Sequence, residues 1–202
     1  MNRRTMTKRL IATLALSLLL TGCDSGPGNA PAEPPLAGSR IGGPFTLTDK
    51  NGNSVQWSDF EGRYRIVYFG YTYCPDVCPL DVQSMMKGFR QFAKNQPRLA
   101  EQIQPIFISI DPERDTPQVV GEFASAFSDK LLGLTGTPEQ IGQAANAFSV
   151  YYAKGEISPG GGYLMDHSRA TYLMGRKGEP IALLPVDKGP QAVAGEMAKW
   201  IR

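Results

Sequence analysis

The sequence has few side chains that bind soft metals, since its 202 residues include three cysteines and one histidine. Two of the cysteines, Cys74 and Cys78, stand four residues apart in the stretch YFGYTYCPDVCPLDV, and each is followed by proline. A structural zinc site takes four protein ligands. Two thiolates are too few for such a site, so structural zinc does not explain the motif.

The sequence also lacks an excess of positive charge once its first residues are set aside. Its formal net charge is +2, but the leader alone contributes Arg3, Arg4, Lys8 and Arg9. Removing these four from the 21 basic residues leaves 17 against 19 acidic residues, a net charge of −2. This balance provides no basic footprint for a nucleic acid, which we exclude as a partner.

The apolar run from Leu10 to Leu20 is short for a membrane span but suits the centre of a signal peptide. The four residues Leu20-Thr21-Gly22-Cys23 that end it resemble the lipobox of bacterial lipoproteins, whose cysteine becomes the lipidated first residue. We therefore predict a lipoprotein signal peptide over residues 1–22 and lipidation at Cys23. The alternative is an ordinary signal peptide with a chance cysteine. Asp24 resembles the signal that retains lipoproteins in the inner membrane.

Residues 24–43 are rich in proline, glycine and alanine, a composition typical of a flexible tether. With the lipidated Cys23 they form a predicted anchor segment, residues 23–43, and the folded domain is predicted over residues 44–202. This places the domain at the periplasmic face of the inner membrane. Cys74 and Cys78 are then the only thiols of the folded part, in a compartment where a disulfide can persist.

Buried strands and amphipathic helices alternate along the domain. Asn51-Gly52 indicates an N-terminal β-hairpin, and two apolar runs, residues 65–70 and 104–110, indicate buried strands. The remaining predicted elements are a short strand at 131–134, a closing hairpin at 171–174 and 181–184, and helices at about 79–94, 115–127, 137–148 and 190–201. This order predicts an α/β fold of thioredoxin-like type, with a mixed central sheet flanked by helices.

The cysteine pair stands between a predicted strand and the helix that we expect Cys74 to open. Unpaired N–H groups at a helix N-terminus stabilise a thiolate. Three interpretations remain open on these residues alone: a structural disulfide, a redox pair, or a metal site. A thioredoxin-type exchange motif has two residues between its cysteines, whereas this one has three. Two thiolates suit copper, which they favour strongly in its reduced form.

The single histidine, His167, lies 89 residues beyond Cys78. A lone histidine is usually an ordinary surface or capping residue. In a thioredoxin-like fold, however, the loop before the third strand lies beside the cysteine turn, which makes His167 a candidate ligand. Asp166 could orient the imidazole or lie just outside the ligands. We interpret the methionines Met85, Met86 and Met165 as packing residues rather than thioether ligands.

Five segments together resemble the Sco family, also called SenC or PrrC, of membrane-anchored, thioredoxin-like copper proteins. The segments are GYTYCPDVCP, SIDPERDTP, LTGTPEQI, VYY and DHSRATYLM, and they follow in the family's order from about residue 40 to the C terminus. The combination of C-P-x-x-C-P with a distant D-H-S is specific to this family.

The resemblance implies that Cys74, Cys78 and His167 bind copper, as Cu(I) or Cu(II). It implies delivery of copper to the binuclear centre of cytochrome c oxidase subunit II, with a second role in reducing the cysteines of that subunit. Other periplasmic copper carriers and thiol reductants are the further expected partners. A Cys74–Cys78 disulfide is the expected state without copper and would block loading. We expect a monomer that is a carrier rather than an enzyme.

Two other functions remain open. The first is a thiol–disulfide oxidoreductase or weak peroxidase in which Cys74 and Cys78 are the catalytic pair. The second is a redox sensor that docks to a membrane partner. Substitution of His167 separates the carrier from the oxidoreductase. The charged residues of SIDPERDTP, Asp111, Glu113, Arg114 and Asp115, are interpreted as a solvated cluster with a helix cap, or alternatively as an acidic docking surface.

Overall fold

A computed structural model of the chain describes residues 33–202. The predicted signal peptide at residues 1–22, the lipidation site Cys23 and the first part of the predicted tether, residues 24–32, lie outside the described residues. Within residues 33–202, no helix combines the length and the apolar character needed to cross a membrane.

Residues 33–43, the described end of the predicted tether, contact the rest of the domain. The Leu36 N–H donates to the Ile181 carbonyl at 3.0 Å, and the Gly42 N–H donates to the Ala147 carbonyl at 2.7 Å. The end of the predicted tether is therefore fixed to the domain by backbone hydrogen bonds, which a count of proline and glycine residues does not reveal.

A five-stranded mixed sheet forms the centre of the domain. Its strands are β3 (Tyr64–Gly70), β4 (Ile103–Ser109), β5 (Leu132–Leu134), β8 (Thr171–Met174) and β9 (Pro180–Leu183). They lie in the order β5-β4-β3-β8-β9. Strand β3 pairs in parallel with β4, and β4 with β5, whereas β8 is antiparallel to both β3 and β9. The predicted mixed sheet is confirmed.

Two small hairpins flank this sheet. The first pairs β1 (Thr46–Thr48) with β2 (Ser54–Gln56) and is the predicted N-terminal hairpin. The second pairs β6 (Tyr152–Lys154) with β7 (Met165–His167) and was not predicted. Its tip contains the PGGG stretch of residues 159–162.

Five α-helices complete the described domain. They are α1 (Val77–Asn95), α2 (Pro97–Ala100), α3 (Pro117–Phe127), α4 (Pro138–Ala147) and α5 (Pro190–Trp200). Short 3-10 turns lie at Trp57–Phe60 and Val186–Lys188. Helix α1 packs against α5 and buries Met85 and Met86 completely, so these two methionines are core residues as predicted.

Helices α3 and α4 begin in the same way, with threonine at the N-cap and proline at the first helical position. The Thr116 hydroxyl accepts from the Val119 N–H at 3.4 Å, and the Thr137 hydroxyl accepts from the Gln140 N–H at 3.3 Å. These bonds satisfy N–H groups that have no partner inside the helix. The loop between β4 and α3 contacts the cysteine loop, because Asp115 accepts a hydrogen bond from the Thr72 N–H at 3.0 Å.

Candidate metal centre

The cysteine loop runs from the end of β3 to the start of α1. Cys78 lies in the first turn of α1 and is fully buried, whereas Cys74 precedes the helix and is half-buried. Cys74 therefore does not open the helix, contrary to our expectation. Its sulfur instead accepts a hydrogen bond from the Cys78 N–H at 3.3 Å, which is the role of an N-cap side chain.

Glycine at the end of β3 lets the buried cysteine approach the sheet. A Cβ added to Gly70 would stand 2.8 Å from the Tyr68 ring and 3.2 Å from the Cys78 sulfur. The absence of a side chain at this position therefore leaves the space that the Cys78 thiol occupies.

His167 ends strand β7 and reaches the buried cysteine. Its Nε2 lies 3.3 Å from the Cys78 Sγ, and its Nδ1 lies 2.9 Å from the Ser168 carbonyl oxygen. A carbonyl only accepts, so Nδ1 carries the proton and the lone pair of Nε2 points to the sulfur. Asp166, the residue that we expected to orient the ring, is exposed, and the Ser168 carbonyl provides this hydrogen bond instead.

Two tyrosines restrict the rotation of the imidazole. The rings of Tyr68 and Tyr71 meet the His167 ring edge to face, at centroid distances of 6.3 and 6.0 Å. A cleft of about 260 Å³ opens over this arrangement, and both Cys74 and His167 line it. Cys78 is not exposed to solvent, so the site presents two donor groups to the cleft and a third beneath them.

The structure brings the predicted ligands together in pairs. Cys78 contacts His167 through their side chains, and Cys74 contacts the Cys78 backbone. Within residues 33–202, no three side chains of His, Cys, Asp or Glu already form a complete metal site. Both cysteines are free thiols. A three-ligand sphere and the Cys74–Cys78 disulfide therefore stay predictions.

The two thiols differ in acidity. Burial favours the neutral thiol of Cys74, but hydrogen bonds from the N–H groups of Cys78 and Asp76 stabilise its thiolate and lower the pKa overall. Burial raises the pKa of Cys78 to about 12, and the adjacent Cys74 adds to the rise. Burial lowers the pKa of His167, so its imidazole is neutral at pH 7 and can act as a ligand.

Comparison with known proteins decides the family. The SCO1/SenC family model matches residues 33–202, which is the whole of the described domain. The chain belongs to the SCO1/SenC family. It is 41% identical to the SenC protein of Rhodobacter capsulatus over 180 residues, which cover 89% of this chain and 76% of SenC. The predicted family is thus confirmed.

Two further members of the SCO1/SenC family resemble this chain in sequence, and one of them also in solved structure. The human mitochondrial SCO1 homologue is 37% identical over 162 residues, which cover 80% of this chain and 53% of that protein, so the chain spans about half its length. The copper-bound structure of Bradyrhizobium japonicum ScoI is 37% identical, with a TM-score of 0.71 over 80% of this chain and 99% of ScoI. The thioredoxin-like fold is confirmed.

An ion pair between the buried Asp81 and the exposed Arg169 joins the histidine segment of this SCO1/SenC domain to the cysteine helix. Asp81, one turn after Cys78, is 2% exposed and accepts two hydrogen bonds from Arg169, at 2.8 and 3.1 Å. The Tyr68 hydroxyl donates to the same carboxylate at 3.0 Å. Sequence reasoning missed this pair. The available signal was a carboxylate on the apolar face of α1, where a charge requires a partner.

Two carboxylates of the SIDPERDTP segment are buried in the SCO1/SenC domain, whereas Glu113 is exposed as predicted. Asp115 is fully buried and accepts from the Thr72 N–H at 3.0 Å, which fixes the cysteine loop. Asp111 is 2% exposed and accepts from Arg114 at 2.6 Å and from the Tyr163 hydroxyl at 2.8 Å. The two carboxylates thus join the cysteine loop to the β6–β7 hairpin, and the expectation that they are solvated is wrong.

Cys74 is expected to react with iodoacetamide at least tenfold faster than Cys78 at pH 7, because thiolate is the reactive form. Cys74 has a lowered pKa and faces the cleft, whereas Cys78 is buried and keeps its proton until about pH 12. Acidification protonates Cys74 and slows its reaction. Mass spectrometry of alkylated peptides over time measures both rates. Equal alkylation rates for the two cysteines in the folded, reduced protein would show that their thiols do not differ in acidity and accessibility as described.

Proposed function

We propose that this chain binds copper through Cys74, Cys78 and His167 and carries it to a membrane oxidase. The observation that carries the proposal is the 3.3 Å contact between the neutral Nε2 of His167 and the Cys78 sulfur. Residues 89 positions apart meet at the end of β3, beside the half-buried Cys74. The copper-bound ScoI relative supports the choice of metal.

The chemistry of these donors favours copper over harder metals. Two thiolates and an imidazole prefer soft or borderline ions, and thiolate ligands select Cu(I) in particular. Three donors leave a coordination position free for a ligand from the receiving protein. Because Cys74 and His167 line the open cleft, a partner can reach the metal from that side.

The proposed client is cytochrome c oxidase subunit II, and its binuclear copper centre is the proposed destination. This step rests on membership of the SCO1/SenC family. We also propose that the domain is held at the periplasmic face of the inner membrane through a lipidated Cys23. Growth of the cells with a labelled fatty acid tests the anchor. If the signal peptide is cleaved after residue 22, Cys23 becomes the first residue and should carry the label.

A thiol–disulfide exchange function is the second candidate, and the asymmetry of the cysteines favours it. A thiolate at Cys74 would attack a disulfide of the client, which forms a mixed disulfide and releases one client thiol. The Cys78 thiol would then lose its proton and attack Cys74, which releases the second client thiol and leaves a Cys74–Cys78 disulfide. The client is reduced and the chain is oxidised, so a thiol reductant must restore the pair.

Copper binding is expected to release protons, and the affinity is expected to rise with pH. The Cys78 thiol, with a pKa of about 12, is protonated at pH 7 and must lose its proton to bind the metal. Each proton released makes the apparent affinity rise about tenfold per pH unit, and the same factor is lost on acidification. Calorimetric titration of the reduced protein with Cu(I), in buffers of different protonation enthalpy, counts these protons.

The same titration tests the proposed function. Wild-type protein should bind one copper ion, and the variant Cys74→Ser should lose tight binding while it stays folded. A stoichiometry of zero for the reduced wild-type protein would contradict the copper carrier. Copper binding without proton release would contradict the assignment of Cys78 as a ligand.

A further inference from the structure

A second cleft lies at the other end of the central strand from the cysteines. It measures about 600 Å³, a volume within the range of about 300–1,000 Å³ for small-molecule sites. Arg65, the second residue of β3, lines it, whereas Cys74 follows the opposite end of the strand. From Arg65 to Gly70 the strand extends roughly 16 Å. The cleft is therefore separate from the candidate metal centre and does not depend on the proposed function.

Arg65 is a buried cation without a carboxylate partner. Its side chain is 2% exposed, and its Nη1 donates to the Gly175 carbonyl at 2.7 Å. Its Nε is buried and has no hydrogen-bond partner within the described residues. Glu61 and Glu179 attract the Arg65 guanidinium electrostatically, yet within residues 33–202 neither carboxylate forms an ion pair with it. A buried charge is costly when it lacks a partner, so this guanidinium is suited to an external anion.

The walls of the cleft favour an anion with an apolar body. The Arg65 guanidinium lies 4.6 Å from the centroid of the Trp57 ring, which also lines the cleft, and Phe45 extends this apolar wall. Among the charged residues that line the cleft, the positive charge of Lys177 balances the negative charge of Glu61. The charge of Arg65 therefore gives the lining a net charge of +1. Flat aromatic surface beside a guanidinium suits a planar carboxylate better than a compact, multiply charged phosphate.

We propose that this cleft binds a small organic carboxylate, whose oxygens accept hydrogen bonds from Arg65 and whose apolar body packs against Trp57. The Nη2 of Arg65 donates to no group within residues 33–202 and is available for this purpose. The turn at Gly178 packs closely against the Trp57 ring. A Cβ added to Gly178 would stand 2.7 Å from the Trp57 indole nitrogen, so the position has no room for a side chain.

Titration of the ¹⁵N-labelled protein with benzoate tests the proposal. Benzoate should produce saturable shifts of the Trp57 indole N–H and the Gly43 and Gly178 amides, all of which line the cleft. Benzyl alcohol, which has the same ring without the charge, should bind at least about tenfold more weakly, as should inorganic phosphate. Equal binding of benzyl alcohol, equal binding of phosphate, or shifts that do not saturate would each overturn the proposal.

Three variants locate the interaction. Arg65→Met should weaken benzoate binding by about tenfold or more, since it removes a charged hydrogen-bond donor. Arg65 is a core residue, so Gln143→Glu gives a second route: it adds a carboxylate to the exposed rim and should weaken binding by a similar factor. Lys87→Gln removes an exposed charge from α1, outside the cleft, and should leave binding unchanged. Unchanged binding in folded Arg65→Met or in Gln143→Glu would overturn the assignment.

Discussion

Replacing His167 with alanine is expected to weaken copper binding by roughly 100-fold or more, since even the loss of a group that supports a ligand costs 10- to 100-fold. His167 is the only histidine of the chain, and its neutral Nε2 points at the Cys78 sulfur. Its removal leaves two thiolates without the third donor. Competition with a copper chelator of known affinity measures the change.

The exposed neighbour of the histidine provides the matched control. Asp166→Ala removes a charge next to the ring but leaves the Ser168 hydrogen bond, so its effect on copper affinity should be far smaller. Thiol exchange gives the complementary readout, because His167→Ala should retain the reactivity of Cys74. Unchanged copper affinity in His167→Ala would contradict the assignment of His167 as a copper ligand.

Replacing Arg169 with methionine is expected to lower the free energy of unfolding by about 2–3 kcal/mol. The Asp81 carboxylate is 2% exposed and would lose its cation while it stays buried. The estimate lies below the usual cost of breaking a fully buried pair because the Arg169 side chain is 51% exposed. Urea unfolding of the reduced protein measures the change.

A double-mutant cycle identifies the source of that loss. Asp81→Asn together with Arg169→Met removes both charges, so the double variant should lose less stability than the sum of the single variants. The same cycle applied to copper affinity tests whether the ion pair holds His167 near Cys78. Additive losses of stability would show that the two side chains do not interact.

The central sheet could be predicted because its signals are local. Strands β3 and β4 are buried along almost their whole length, and they appear in the sequence as short apolar runs. The β6–β7 hairpin has three-residue strands that are only partly buried, so it carries no comparable signal. Its position depends on the Asp111–Tyr163 hydrogen bond, which joins residues 52 positions apart.

The ligand candidates could be predicted from the scarcity of cysteine and histidine, together with the family resemblance. The groups that support them could not be. Asp111 and Asp115 stand in a charged stretch that looks solvated, and only the fold shows that Thr72 and Tyr163 satisfy them. The differing acidity of the cysteines likewise depends on where α1 begins, because that point determines which N–H groups face Cys74.

X-ray absorption spectroscopy of the copper-loaded, reduced protein identifies the atoms bound to the metal. We expect two sulfur atoms and one nitrogen around the copper ion, contributed by Cys74, Cys78 and His167. We also expect the nitrogen contribution to disappear in His167→Ala. A shell of sulfur alone in the wild-type protein, or one of nitrogen and oxygen without sulfur, would contradict the assignment of these three ligands.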